Sequence, residues 1–483
     1  MGFKPTHAFQ ACALNHSAIS PAANLNMAVE PLVRNGVFAA GPAPETTNRF
    51  PASYDSGNVV VGPTDNRPAN ARMASGSFIN EVTLSETDLA ARRPAIICRR
   101  ASTTALDLVW AFVAGTAIPL SLLWDFSWES SIGVDRFWSP PHLATHTAVW
   151  LNALLSLWLI FKCTVARRAD DEVAKINIGP LRGPSGAWVL LWSALLFEAT
   201  IPLDLWWQRA YGLGAGLWPP PQILKTVSFF GMLFGSMLLA VARRNAGAAA
   251  NDVRSSCNIF NELRVAWFGG LAVALCALIL VMTNYPNRQH TAFFYLVSSA
   301  VYPALLLLTA CAVRLRWGAT AAALAYLVAS GVTIWLLPLF PAHPLTPPIH
   351  NPITRMMPPP FPLLLFVPAA VFDGLRYAIA KMRSEAQRLG VSLLAGTVFI
   401  AAFAPLQWFF AKFLLSPAAD NWFFAGGGRH WPYFLKIDQA RSMFWIGPSE
   451  SVSIETFVLA AALAGGSAWL GLTIGAWLQK VQR

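Results

Sequence analysis

The chain has 483 residues, of which 55% are hydrophobic and only 12% are charged, and its mean hydropathy is +0.47. A soluble protein carries about twice that share of charged residues, so the composition excludes an ordinary soluble domain and predicts a lipid bilayer around the chain. The net charge is +11, but the Lys and Arg residues fall in short gaps between apolar runs. Because they form no concentrated basic face, we predict no nucleic-acid partner.

Residues 1–100 differ from the rest of the chain. They are rich in Ala, Pro, Asn, Ser and Gly and contain no apolar run long enough to cross a membrane. We expect a mostly disordered cytoplasmic tail, with Met27 or Met73 as the alternative start if the first Met is assigned too early. Residues 101–483 are predicted to form the transmembrane domain.

Apolar runs follow one another from Thr103 to the end of the chain, and each is near the roughly 20 residues that a membrane-spanning helix needs. Because lipid cannot satisfy exposed backbone groups, the runs predict an all-α, polytopic helical bundle with about ten spans. The approximate limits of the spans are 103–124, 142–163, 187–207, 221–242, 263–283, 292–313, 318–340, 361–380, 391–412 and 454–477.

Cations concentrate in every second gap between these runs. The gaps concerned hold, among others, Arg99 and Arg100, Arg167 and Arg168, Arg243 and Arg244, Arg314 and Arg316, Lys381 and Arg388, and Lys480 and Arg483. The positive-inside rule therefore predicts that both termini lie in the cytoplasm. The spans then pair into five helical hairpins with their turns on the outer face. We expect a bacterial inner or plasma membrane.

Three of these hairpins share a proline pattern. A triplet of Ile or Leu, Pro and Leu begins at Ile118, Ile201 and Leu337, and a run of prolines at Pro140, Pro219 and Pro358 follows each triplet. The three copies have the same orientation, so the pattern predicts a parallel internal repeat. Proline kinks or ends the outgoing helix and suits the first turn of the returning one.

Histidines beyond the tail all map to the outer turns or to the first turns that follow them. His142 and His146 are spaced i, i+4, so their imidazoles share one helix face and suit a single metal ion. Methionines on the same side favour copper, and iron is the alternative. The predicted metal ligands are His142, His146, His290, His343 and His350.

Charged residues near or within apolar runs are the candidates for catalysis or transport. Asp125 ends the first run beside Trp124, and Glu198 and Lys225 fall at similar depth in the third and fourth runs, where they are predicted to pair. Intramembrane charges are costly and are expected to face the bundle interior. The predicted substrate-lining residues are Trp124, Trp128, Trp138, Arg136 and Gln222.

The stretch from Trp124 to Trp138, WDFSWESSIGVDRFW, resembles an acidic, Trp-rich segment in the membrane subunits of particulate methane and ammonia monooxygenases. The resemblance covers this stretch alone, and those subunits have neither this span count nor this repeat. It adds weight to the hypothesis of a bound metal and assigns no role to any residue.

Three functions fit these patterns. The first is a metal-dependent membrane oxidoreductase that acts on a small or lipophilic substrate, with Asp125 as ligand or proton acceptor. The second is a multi-pass transporter or permease that uses the Glu198/Lys225 pair. The third is a transferase that takes its donor from a lipid carrier. The sequence leaves the substrate and the oligomeric state open.

Overall fold

The computed structural model describes residues 103–133, 138–165, 176–212, 219–249, 259–345, 352–381, 384–426 and 452–481. Within these ranges, nine helices are long and apolar enough to cross a membrane, which confirms the prediction of an all-α polytopic bundle. They are α1 (Ala105–Ser131), α2 (Pro140–Val165), α3 (Ser185–Tyr211), α4 (Pro220–Ala249), α5 (Ile259–Ile279), α7 (Ala292–Ala312), α8 (Gly318–Leu336), α11 (Glu385–Leu414) and α12 (Ile454–Leu478). The tail predicted over residues 1–100 lies outside the described residues.

Shorter elements join these helices. Two three-residue strands, β1 (Ile176–Ile178) and β2 (Leu181–Gly183), form an antiparallel hairpin between α2 and α3, with Ile176 opposite Gly183. The remaining helices are α6 (Val281–Asn284), α9 (Phe366–Gly374) and α10 (Arg376–Lys381).

The first and third helices extend beyond the predicted span limits at residues 124 and 207, and each contains a proline. α1 runs through Pro119 to Ser131, and α3 runs through Pro202 to Tyr211. Asp125 therefore lies on a late turn of α1 rather than in the turn after it. Proline inside a membrane helix is tolerated where neighbouring groups re-satisfy the freed backbone, and the Ser121 hydroxyl donates to the Ile118 carbonyl beside Pro119.

Two of the three predicted repeat copies adopt the same structure. In each, proline lies inside the outgoing helix (Pro119, Pro202) and at the first position of the returning one (Pro140, Pro220). The third copy departs from this pattern. Its triplet Leu337–Leu339 forms a 3₁₀ turn after α8, and no helix begins at its proline run.

The prediction of one membrane-spanning helix over 361–380 was correct only in part. The chain is non-helical from residue 352 to 365, and the short helices α9 and α10 then replace a single long one. Four of the five residues 358–362 are proline, which lacks the N–H that a helix interior needs. Apolar length alone therefore missed the non-helical stretch that precedes α9.

This segment still crosses the bundle. At its start, the Met356 N–H donates to the Phe340 carbonyl just beyond the end of α8 (3.0 Å). Near its end, the Asp373 carboxylate accepts hydrogen bonds from the N–H groups of Ala319 and Thr320, at the beginning of α8. It thus runs antiparallel to α8 along the whole length of that helix, and we call residues 356–374 the broken crossing.

The helices pack around two hydrophobic cores that meet at α5. One core is built mainly from α1 to α5 and contains side chains such as Ile118, Leu190 and Leu271. The other is built from α7, α8, α9, α11 and α12, and it also takes Val273 and Ala274 from α5. Lipid-facing side chains of the long helices remain exposed, as expected of a protein surrounded by hydrocarbon.

A buried arginine joins four helix ends on the side of the bundle where α4 finishes. Arg244 is 1% exposed, and its guanidinium donates to the Glu262 carboxylate of α5 and to the Ala312 carbonyl at the end of α7. The adjacent Asn245 amide donates to three carbonyls at the end of α12, those of Leu478, Gln479 and Val481. In the sequence, Arg244 served only to predict which side of the membrane is cytoplasmic. In the structure, Arg244 and Asn245 also bond the ends of these helices together.

Backbones approach closely between α11 and α12. A Cβ added at Gly396 would lie 2.3 Å from the Gly465 nitrogen and 2.5 Å from the Ala461 carbonyl oxygen. A Cβ added at Gly390, on the same helix, would meet nothing within 4 Å. Glycine at 396 is therefore required by the distance between the two helices.

We predict that Gly396→Ala destabilises the protein by about 1–3 kcal/mol, because the new methyl group forces α11 and α12 apart. Thermal unfolding of the purified protein in detergent measures the effect. Gly390→Ala is the matched control and should leave the melting temperature equal or slightly higher, since alanine favours a helix. Equal melting temperatures for the two variants would contradict the close packing.

Candidate functional site at the polar end

Three acid–base pairs link four consecutive helices. We call the end of the bundle where α1 finishes and α2 begins the polar end. There His142 Nε2 of α2 lies 3.6 Å from Asp125 Oδ1 of α1, and His146 Nδ1 lies 3.6 Å from Glu198 Oε1 of α3. The third pair joins Lys225 of α4 to a carboxylate of α3. Each pair of consecutive helices from α1 to α4 is thus joined by a carboxylate and a histidine or lysine side chain.

The three pairs differ in how tightly they are closed. Lys225 Nζ and Asp204 Oδ2 lie 2.6 Å apart, and both residues are buried. The two imidazole–carboxylate distances exceed the usual limit of a hydrogen bond between those atoms. The lysine pair is therefore a fixed ion pair, while the two histidine pairs have room to close or to exchange partners.

The predicted Glu198–Lys225 pair is corrected by this geometry. Lys225 pairs with Asp204, and Glu198 lies against His146 instead. Asp204 lies within α3, and its carboxylate accepts a hydrogen bond from the Lys225 ammonium group of α4. All the charges remain in one neighbourhood, since His146 interacts electrostatically with Glu198, His142 and Lys225.

The predicted metal ligands are only partly brought together. His142 and His146 lie one turn apart on α2, each beside a different carboxylate. His290 packs edge-on to the ring of Trp408 in α11, and His343 is exposed in the segment after α8. In the part of the chain that the structure describes, no three His, Cys, Asp or Glu side chains form a metal-binding group. His350 and the predicted lining residue Arg136 lie outside the described residues.

The other predicted lining residues have different environments. Trp124 and Trp128 are half-buried and pack against a small apolar cluster that contains Met356, at the start of the broken crossing. Gln222 is half-buried on the first turn of α4, whereas Trp138 is 73% exposed. Trp124 and Trp128 therefore lie beside the start of the broken crossing.

A network of uncharged polar side chains, which the sequence did not predict, holds the broken crossing. The Leu363 N–H donates to the Tyr326 hydroxyl (2.9 Å), and the Leu364 N–H donates to Gln407 Oε1 (3.0 Å). The Gln407 amide in turn donates to Gln289 Oε1 (2.6 Å). These side chains supply the hydrogen bonds that a helix would have supplied to the backbone.

The buried amides and phenols of this network are the signal that sequence reasoning missed. Gln289 and Gln407 are completely buried, although each is one polar residue beside or within an apolar run. A polar amide in such a place is expected to bond to an irregular backbone or to a ligand. The signal is weak in sequence, because an uncharged residue does not interrupt a hydrophobic span.

The two polar regions meet at the end of α1. The Met357 N–H donates to the Ser131 hydroxyl (2.6 Å), and the Leu345 N–H donates to the Ile132 carbonyl (2.8 Å). Ser131 is also the last residue of the helix that carries Asp125. The acid–base pairs and the broken crossing are therefore joined directly through α1.

No family model, curated protein or solved structure matches this chain. Its function must therefore be inferred from the arrangement of its own residues.

We predict that Asp204→Asn destabilises the protein by about 3–5 kcal/mol, because it leaves the buried Lys225 charge without its partner. The melting temperature of the purified protein measures this loss. The double variant Asp204→Leu, Lys225→Met should recover most of it, since no buried charge remains.

The matched control is Glu385→Gln, which breaks a more exposed i, i+3 pair with Arg388. Its effect should be small, as is usual for surface ion pairs. A loss at Asp204 no larger than the loss at Glu385 would contradict a buried, closed ion pair.

Proposed function

We propose that this multi-pass membrane protein is a transporter that moves a small solute along the broken crossing. One observation carries the proposal: the first half of that crossing is non-helical, mostly buried and held by side chains of α1, α8 and α11. Non-helical backbone at membrane depth is tolerated only inside protein or along a water-filled cavity. In secondary transporters, discontinuous spans of this kind form the substrate and ion sites.

The internal repeat and the acid–base pairs support the same function. Parallel repeats are a common architecture of transporters, and the first two hairpins here share their proline positions. Titratable groups inside a membrane bundle commonly mark ion or substrate pathways. The His146–Glu198 pair connects the first hairpin to the second, and these hairpins would have to move relative to each other during transport.

We predict that proteoliposomes of the purified protein take up at least one solute from a panel of labelled amino acids, sugars and organic acids. Uptake is measured with and without a pH gradient and a membrane potential. Gln407→Leu should slow the initial rate about tenfold, because it removes the acceptor that fixes the Leu364 N–H. Glu198→Gln should also slow it, since it weakens the contact between α2 and α3.

Thr397→Val is the matched control on the same helix, because the Thr397 hydroxyl is exposed and bonds only within α11, to the Leu393 carbonyl. It should keep the rate of the unmodified protein. The proposal fails if folded, monodisperse protein takes up none of the panel, or if Gln407→Leu and Thr397→Val behave alike.

A metal-dependent oxidoreductase is the second candidate. The observation that favours it is the pair His142 and His146 on one face of α2, with Asp125 and Glu198 as neighbouring oxygen donors. Imidazole and carboxylate groups suit iron, and imidazole also suits copper. A small or lipophilic substrate would reach this site from the polar end.

We expect elemental analysis to decide between the candidates. An oxidoreductase of this kind purifies with a stoichiometric transition metal, which His142→Ala and His146→Ala both remove. His343→Ala is the control, because this exposed histidine lies after α8 rather than on α2. Active protein without bound metal would eliminate the oxidoreductase.

A further inference from the structure

The proline-rich half of the broken crossing has many more backbone acceptors than donors. From residue 357 to 362 the chain reads Met-Pro-Pro-Pro-Phe-Pro, so six carbonyl oxygens are accompanied by only two N–H groups, those of Met357 and Phe361. The Met357 N–H is already donated to the Ser131 hydroxyl. The stretch is therefore almost purely a row of acceptors.

These acceptors are enclosed by the protein. All residues of the stretch are buried except Phe361, which is half-buried. None of the six carbonyls accepts a hydrogen bond from any residue that the structure describes. Buried carbonyl groups almost always have a partner in native proteins. A run of them for which the described residues supply no donor favours a positively charged or positively polarised ligand.

The surroundings determine the charge that such a ligand can have. Among the described residues, the side chains that bond to the backbone of residues 357–364 are a hydroxyl, a phenol and a carboxamide, from Ser131, Tyr326 and Gln407. Divalent cations are usually held by carboxylates. Uncharged carbonyl oxygens instead suit a monovalent cation, whose hydration shell they replace.

We propose that the carbonyl oxygens of residues 357–362 bind a small monovalent cation, Na⁺ or K⁺, within the membrane domain. In the transporter proposed above, on which this role rests, the cation is the coupling ion. Cation binding does not depend on transport. The bound cation neutralises the row of carbonyl dipoles and holds residues 357–362 in place beside α1, α8 and α11.

The test is the melting temperature of the purified full chain in NaCl, KCl and choline chloride at equal ionic strength. A ligand that binds only the folded state stabilises it, so one of the alkali salts should raise the melting temperature by about 2–4 °C over choline. Equilibrium binding of radioactive sodium or rubidium then identifies the preferred ion. Equal melting temperatures in all three salts, with no saturable binding, would overturn the proposal.

Pro359→Ala introduces an N–H group in the middle of the row and should abolish at least half of the salt-dependent shift. Pro352→Ala is the matched control, because Pro352 is exposed and precedes the buried stretch; it should retain the full shift. If Pro359→Ala aggregates, Ser131→Ala is the second variant, since it removes the hydroxyl that fixes Met357, and it should weaken the shift in the same way. A full shift in a folded Pro359→Ala or Ser131→Ala variant counts against the site.

Transport and cation binding can fail separately. Saturable cation binding without uptake of any solute would remove the transporter and leave the site. Solute uptake that is equal in NaCl, KCl and choline chloride, with no salt-dependent stability, would remove the site and leave the transporter.

Discussion

A membrane-spanning backbone must find its hydrogen-bond partners within the protein, and this constraint governs the whole structure. Nine of the described spans meet it by forming helices. The N–H groups of the broken crossing are accounted for in another way, because its prolines have none and side chains accept from Met357, Leu363 and Leu364. The positions of Ser131, Tyr326 and Gln407, and hence of the helices that carry them, are tied to this one irregular segment.

Hydrophobic length was sufficient to predict the fold class and most of the spans, and it was insufficient at the prolines. Pro119 and Pro202 were expected to kink or end their helices, yet α1 and α3 continue for at least nine residues beyond them. At Pro358–Pro362, in contrast, the chain is non-helical, although the apolar run that begins there is long enough to span. A single proline and a run of prolines thus had opposite consequences, and hydropathy does not distinguish them.

The sequence predicted which residues form the candidate site, but it did not predict how they pair. Asp125, His142, His146, Glu198 and Lys225 do lie at one end of the first four helices, as their positions in the sequence indicated. Their partners could not be predicted, because pairing depends on how the helices rotate and pack against each other. Gln289 and Gln407 were missed because Gln289 lies in a polar gap between two spans and Gln407 is one uncharged residue within a span, although both are completely buried. The metal hypothesis stays a prediction.

The anchoring of the broken crossing has a mechanical consequence. One end is bound to Ser131 of α1, and the other is bound through Asp373 to the first N–H groups of α8, on the opposite side of the bundle. The two anchors thus join the end of α1 to the beginning of α8, although the two points lie on opposite sides of the bundle. A displacement of the first hairpin would therefore be transmitted through the non-helical stretch and α9 to the beginning of α8.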